Sequence, residues 1–179
     1  MGDAGLVHPI RKVFMSSTTL PGTKNGSGVA ALYDWFAHLA DFLRSPFLLL
    51  VRLYWGWQFL TTGWGKLHNL GHVIEFFRSL GIPAPGVMAP FVATLEFVGG
   101  LLLIVGLASR LIGLLLAGNM LVAYITSDRE ALSSVFSDPG KFYVADPFTF
   151  MFAALIVLVF GAGLFSLDAV ISRRSKSEV

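Results

Sequence analysis

Cysteine is absent from the 179-residue chain, and charged residues are scarce. Without thiols, this chain alone cannot provide a thiol–disulfide relay, a thiolate metal site or an iron–sulfur cluster. Charged residues make up 13% of the sequence, against about 25% in typical soluble domains, while hydrophobic residues make up 55%. This balance predicts a protein of the lipid bilayer.

Sequence motifs of nucleotide-binding proteins and hydrolases are also missing: GxGxxG, GxxxxGK[ST] and GxSxG do not occur. The basic residues lie at the ends of apolar segments rather than in one stripe, so we expect no nucleic-acid binding. No apolar segment contains histidine, which argues against a haem held between spans. His68 and His72 have metal-like spacing with Glu75, but Gly71 interrupts the helix, so solvated histidines are favoured and no metal is predicted.

Four apolar segments, each with at most one charged residue, account for most of the hydrophobic residues. Each is close to the ~20 residues that a helix needs to cross a bilayer. The sequence therefore predicts an all-α fold, an integral membrane four-helix bundle within residues 46–168. The predicted spans are Pro46–Gly65, Val87–Ser109, Leu111–Ser127 and Pro147–Leu167.

The segments on either side of this bundle have their own patterns. Residues 1–28, rich in Ser, Thr, Gly and Pro, are predicted to form a flexible tail. Residues 29–45 have apolar residues at helical spacing and predict an amphipathic helix in the membrane interface. Residues 169–179 form a basic tail. Because eight basic residues fall on one side of the spans and four on the other, we expect both termini in the cytoplasm.

Glu96 lies near the middle of the second span, where an ionised carboxylate would cost about 2.5–3.5 kcal/mol or more. Counting ~1.5 Å per residue puts Gln58, Glu96 and Asn119 close to one depth, with Arg52 and Lys66 able to reach that layer from opposite ends. We expect Glu96 to face the bundle interior and to bond with these amides and one cation. A carboxyl kept neutral by burial, or residues that only hold helices together, are the alternatives.

Two further pairs of residues are candidates. Trp55 and Trp57 lie deep in the first span and could line a flat apolar site, although core packing is the favoured role. Arg110 and Asp168 are interpreted as structural, with Asp168 forming a salt bridge to Arg44, Arg52 or Arg110 that ties the fourth span to the others.

Several stretches of the sequence, from about Arg52 to Arg174, resemble the DoxX family of small four-span bacterial membrane proteins. They are "RLYWGWQFLTTGWGKL", "FFRSLGIPAPGVMAPFVATLEFVGGLLLIVGLASRL" and "GAGLFSLDAVISRR". The family is related to the DoxD subunit of thiosulfate:quinone oxidoreductase, and some members are linked to thiol-oxidative stress. The resemblance implies a multi-pass protein of the bacterial cytoplasmic membrane with a quinone as its ligand.

Two functions follow as hypotheses. In the first, the protein is a quinone-linked oxidoreductase subunit, in which the catalytic residues are Glu96, Arg52 and Lys66 and the substrate-binding residues are Gln58, Asn119, Trp55 and Trp57. In the second, it is a non-catalytic membrane anchor or assembly partner for a soluble redox or thiol-stress enzyme. A second membrane subunit and a homo-oligomer are further partners that the sequence leaves open.

Overall fold

The computed structural model of the protein describes residues 28–177, with side chains as far as Arg174, and this part of the chain is helical without strands. The predicted flexible tail lies outside the described residues except for Gly28. The helices are α1 (Gly28–His68), α2 (Leu70–Ser79), α3 (Pro85–Val105), α4 (Ser109–Thr126), α5 (Arg129–Ser133), α6 (Pro139–Val144), α7 (Asp146–Phe160) and α8 (Leu167–Ser177).

Helix α1 is a single helix of 41 residues. It runs without a break through the predicted boundary at Pro46 between the interfacial helix and the first span, and the predicted division into domains stays a prediction. Proline removes one backbone hydrogen bond there without ending the helix. Of the described residues, 28–37 belong to one unit and 38–177 to a second, and everything described below lies in the second. Whether residues 29–45 lie in the interface stays a prediction.

Helices α3 and α4 are the two described helices that are long and apolar enough to cross a membrane. Helix α7 is apolar but has 15 residues, fewer than the predicted fourth span. It ends early because Gly161 and Gly163 adopt positive φ angles of 75° and 76°, which turn the chain out of the helix. The protein is an all-α membrane protein, as predicted, and the count of four spans stays a prediction.

Three short helices lie where the sequence predicted loop or tail. Helices α5 and α6 occupy the third loop, where Lys141 Nζ contacts Glu130 Oε1 at 2.9 Å. This hydrogen bond and ion pair lower the pKa of Glu130 and raise the pKa of Lys141. The loop is also held to α4, because the hydroxyl of Tyr124 donates to the carbonyl of Phe142 at 2.7 Å. Helix α8 covers most of the predicted basic tail.

Glycines set the distance between α1 and α3. A Cβ at Gly100 would lie 2.5 Å from the backbone nitrogen of Leu60 and 2.6 Å from the carbonyl oxygen of Gly56. A Cβ at Gly63 would lie 2.8 Å from the carbonyl oxygen of Ala93. Neither position has space for a larger residue, so the two backbones pack directly against each other, as small residues allow in membrane helices. These contacts fix an antiparallel register in which residue 56 lies beside 100 and residue 63 beside 93.

Helix α4 packs between α3 and α7. The side chain of Leu116 lies over Gly99 of α3, and Gly113 approaches the backbone of Ala154 and Leu158 in α7. The apolar core lies along these contacts. It includes Val51, Phe59, Leu103, Ile112, Leu116, Met120, Ala153, Ala154 and Val157.

Candidate functional site

Glu96 is buried, with 1% of its surface exposed, and it has two polar partners. Lys66 Nζ contacts Glu96 Oε1 at 2.6 Å and Oε2 at 2.7 Å. The side-chain amide of Asn119 donates to Glu96 Oε1 at 3.0 Å. The carboxylate therefore faces the bundle interior and holds one cation and one amide, so three helices meet at a single charged group.

The packing of α1 on α3 brings Lys66 to Glu96. Because Gly63 packs between Ala93 and Phe97, its own turn of α1 lies beside the turn of α3 that carries Glu96. Lys66 follows about one turn later on α1, and its long side chain reaches back to the carboxylate. The Lys66 side chain is 35% exposed, so its ammonium reaches a buried carboxylate while part of its stem remains accessible. A charged pair in this environment is stable only when both partners have hydrogen bonds.

A cavity of about 830 Å³ borders the charged group formed by Glu96, Lys66 and Asn119, and all three residues line it. Its remaining wall is mostly apolar and includes α2, together with parts of α3, α4 and α7. Asp128, Asp146 and His72 add polar groups to its lining. Among the apolar lining residues are Phe59, Phe76, Phe77, Met88, Met120 and Phe150.

The hydrogen-bonding capacity of the group is only partly used. An ammonium has three donors, and Lys66 uses two of them on Glu96. Glu96 Oε2 accepts from Lys66 alone, and the side-chain oxygen of Asn119 has no hydrogen-bond donor among the described residues. The site can therefore offer one charge-assisted donor and two acceptors to a ligand inside an apolar cavity.

Gln58 is not part of this group, which corrects the predicted polar layer. It does not line the cavity, and its side chain makes no hydrogen bond within residues 28–174. Gly56 and Leu60 both approach Gly100, so Gln58 is level with Gly100. Glu96 lies four residues, or about 6 Å, away from that level along α3.

The two tryptophans also lie away from the cavity. Trp55 packs partly buried against the apolar core and makes an edge contact with Tyr54. Trp57 is 58% exposed on the outer surface of α1. Neither residue lines the cavity, so the predicted role in substrate binding finds no geometric support.

Arg52, the other cation that the sequence offered to Glu96 beside Lys66, lies at the other end of the bundle and does not pair with Glu96. Its guanidinium is 1% exposed and is surrounded by backbone carbonyls. It donates to Leu103 at 3.0 Å, to Phe165 at 2.9 Å and to Ala162. Arg52 thus donates to carbonyls at the end of α3 and in the turn after α7, where few intrahelical donors are available; the Leu103 carbonyl also accepts from the amide of Gly106.

Asp168 fastens α8 to the turn between α3 and α4, but through backbone amides rather than an arginine. Its Oδ1 accepts from the amide of Ala108 at 2.7 Å and its Oδ2 from the amide of Ser109 at 2.9 Å. The predicted salt bridge is therefore wrong about the partner, because the carboxylate caps the N-terminus of α4. Arg110 is exposed and its guanidinium passes the backbone of Gly161.

Helix α2 contributes cavity residues that the sequence pattern did not identify. The pattern indicates an amphipathic segment, but it does not connect the apolar face with Glu96. That face presents Val73, Phe76 and Phe77 to the cavity, next to His72. Within the described residues, no cluster of three His, Asp or Glu side chains has the arrangement of a metal site.

The chain is similar to a family model and to two bacterial proteins. A model of the DoxX family matches residues 47–129, which include Lys66, Glu96 and Asn119. "Putative oxidoreductase CatD" of Bacillus subtilis is 37% identical over 46% of this chain and 60% of its own length. The match to CatD thus covers less than two thirds of that protein.

A second relative covers more of both chains. "Inner membrane protein YqjF" of Escherichia coli is 27% identical over 71% of this chain and 93% of its own length. No solved structure matches the chain. The resemblance stated from the sequence is confirmed, and both relatives are bacterial, one of them named as an inner membrane protein.

Proposed function

We propose that this chain, in which residues 47–129 match the DoxX family, is a quinone-linked oxidoreductase subunit of the membrane. The quinone head group occupies the cavity above Glu96. The observation that carries the proposal is the buried ion pair of Lys66 and Glu96 in the lining of a mostly apolar cavity.

The size and lining of the cavity fit such a ligand. Pockets for small molecules measure about 300–1,000 Å³ and combine apolar walls with a few convergent polar groups. Here the volume is about 830 Å³, and aromatic side chains from α1, α2 and α7 form much of the wall. A flat ring can pack against these aromatic groups while its carbonyl oxygen faces the ammonium of Lys66.

The ion pair offers the chemistry that quinone reduction needs. A quinone takes up two electrons and two protons to become a quinol. The free N–H of Lys66 hydrogen-bonds to a carbonyl oxygen and stabilises the negative charge that develops when electrons arrive. Glu96 and Lys66 then exchange protons with that oxygen. The electrons come from a separate electron-donating redox protein, in keeping with the role of a subunit.

The relatives support the general setting. One is named an oxidoreductase and the other an inner membrane protein. We place this chain in the bacterial cytoplasmic membrane with both termini in the cytoplasm, as the distribution of basic residues favours. The Lys66 end of the bundle, formed by the end of α1 and the start of α3, then faces the opposite side.

Quinone binding by the purified protein tests the proposal. Decylubiquinone and a short-chain menaquinone analogue would be titrated into the protein in detergent, with tryptophan fluorescence and calorimetry as readouts. We expect saturable binding, which Lys66→Met or Asn119→Leu weakens about tenfold or more, as for the loss of a buried hydrogen bond to a ligand. Gln58→Leu is the matched control, because Gln58 does not line the cavity.

Absence of saturable binding to the wild-type protein would contradict the proposal. So would equal losses of affinity in the Gln58 and Lys66 variants. If binding is absent and a soluble redox enzyme co-purifies with the protein, the anchor hypothesis becomes the better explanation.

A further inference from the structure

A second, shallower cavity lies next to the first, at the corner where α1 meets α2. It measures about 400 Å³ and is lined by Thr62, Gly65, Lys66, Asn69, His72 and Val73. Four of these residues line the larger cavity as well: Thr62, Lys66, His72 and Val73. The shared residues form the boundary between an apolar ligand cavity and the exposed corner of the bundle.

His72 is the titratable side chain on this boundary other than Lys66. It is exposed, so water reaches the imidazole directly. Lys66, which lines the same two cavities, is bonded to Glu96. An imidazole that borders both cavities can accept a proton from water and release it toward a buried acid–base pair.

His68 provides the contrast within the same segment. It lies four residues earlier and lines neither cavity. Its ring packs on Trp64 at a centroid distance of 4.1 Å, and its Nδ1 lies 2.9 Å from the carbonyl oxygen of Trp64. Two histidines four residues apart therefore have different surroundings, and only one of them borders the site.

We propose that His72 is the proton relay between bulk water and the Lys66–Glu96 pair. The inference rests on the proposed quinone function and adds the route by which its protons arrive. His72 lines the same cavity as Lys66, and its role in the proposal is to pass protons to Lys66.

Each proton in the proposed step has a named donor and acceptor. The reduced quinone, with electrons from the donor protein, takes a proton from the ammonium of Lys66, so an N–H bond breaks and an O–H bond forms. Protonated His72 gives a proton to the resulting amine through water in the cavity. The neutral imidazole then takes a proton from bulk water. The relay carries protons only, and no electrons pass through it.

Other charged groups share these cavities and set the electrostatic environment of His72. Lys66 faces it from α1 and Glu96 from α3, while Asp128 follows α4 and Asp146 begins α7. The two aspartates add acidic groups to the lining of the larger cavity, which His72 also lines. Glu75 and Arg78, on α2 itself, do not line either cavity.

The test uses the full chain in lipid nanodiscs loaded with decylubiquinone. A flash-excited ruthenium complex in solution supplies the electrons, and the decay of the anionic reduced quinone is followed by absorbance. With quinone saturating in every sample, we expect His72→Gln to slow protonation about tenfold or more, as removal of a proton-transfer group does. The rate of protonation in the wild type should depend on pH more steeply than the rate in His72→Gln.

Two controls separate a relay from a structural role. His68→Gln should protonate the quinone at the wild-type rate, and free imidazole should restore the rate of His72→Gln. An unchanged protonation rate in His72→Gln at saturating quinone would overturn the relay and leave the proposed function standing. Failure of the wild type to bind quinone would overturn both.

Discussion

Lys66 contacts both carboxylate oxygens of Glu96, at 2.6 and 2.7 Å, and so connects the end of α1 to the middle of α3. The two partners are unequal. The Glu96 side chain is 2% exposed, while the Lys66 side chain is 35% exposed. Loss of Lys66 therefore leaves a buried carboxylate, whereas loss of the Glu96 charge leaves an ammonium that water can reach. The two substitutions should change the free energy of unfolding by different amounts.

Lys66→Met should destabilise the protein more than Glu96→Gln. Without Lys66, a buried carboxylate keeps only the amide of Asn119, which should cost about 2–4 kcal/mol in the free energy of unfolding. Without the charge of Glu96, Lys66 can turn toward water, and the glutamine keeps an acceptor, so a cost of about 1 kcal/mol is expected. Denaturant unfolding in detergent micelles, followed by circular dichroism, measures both values.

A double variant supplies the control for this comparison. Lys66→Met with Glu96→Met removes both charges and should recover part of the stability that Lys66→Met alone loses. If Glu96→Gln lost more stability than Lys66→Met, the result would contradict the description of Glu96 as the buried partner of the ion pair.

Gly63→Ala should disrupt the contact between α1 and α3, while Gly65→Ala should not. A Cβ at position 63 would lie 2.8 Å from the Ala93 oxygen, but a Cβ at position 65 meets nothing within 4 Å. Overpacking of this kind costs about 1–3 kcal/mol, whereas alanine at an open helix position gains up to ~1 kcal/mol. Thermal unfolding of the two variants under the same conditions gives the comparison, and similar melting temperatures would refute the close approach.

The charged site was predictable from the sequence because membrane physics restricts it. A lone carboxylate in an apolar segment must find partners inside the protein, and few polar groups were available. Glu96, Lys66 and Asn119 are therefore candidates on sequence grounds alone. The same reasoning wrongly added Gln58 and left Arg52 and Lys66 as alternative cations, because depth counted along each helix separately does not give the register between helices.

The register depends on which glycines meet, and a hydropathy pattern does not contain that information. Gly63 and Gly100 place Lys66 beside Glu96 and move Gln58 away. The cavity wall was missed for a similar reason. The amphipathic pattern of α2 showed that one face is apolar, but not that this face covers a site between α3, α4 and α7.

Arg52→Lys should reduce stability without reducing quinone affinity. The guanidinium donates to carbonyls at the end of α3 and in the turn after α7, and an ammonium cannot reach them in the same geometry. Each carbonyl left without a donor costs about 1–3 kcal/mol, so a loss of about 2–4 kcal/mol is expected. Unfolding and quinone titration on the same sample check this. A variant that is stable but binds quinone poorly would favour the catalytic role that the sequence predicts for Arg52.

Gly106→Ala tests the same end of the bundle from the opposite side. Gly106 ends α3 with a φ of 72°, and a Cβ there would lie 2.8 Å from the guanidinium carbon of Arg52 and 2.6 Å from Ser166 Cβ. Alanine at this position would be strained by the positive φ and would displace Arg52. We therefore expect the free energy of unfolding to fall by about 2 kcal/mol or more. Gly118→Ala is the control, because its Cβ position is open. Equal stability of the two variants would argue against the close approach of Arg52.

Asp168→Ala should destabilise the protein, and Arg110→Ala should not. The carboxylate of Asp168 accepts from the amides of Ala108 and Ser109, so its removal leaves the N-terminus of α4 without a cap. Loss of a helix cap costs about 0.5–2 kcal/mol. Arg110 is exposed and contributes no bond to Asp168 within the described residues. Unfolding of both variants distinguishes the cap from the salt bridge that the sequence predicts, since a salt bridge would make the two losses similar. Asp168→Asn, which keeps one acceptor oxygen, should lie between Asp168→Ala and the wild type.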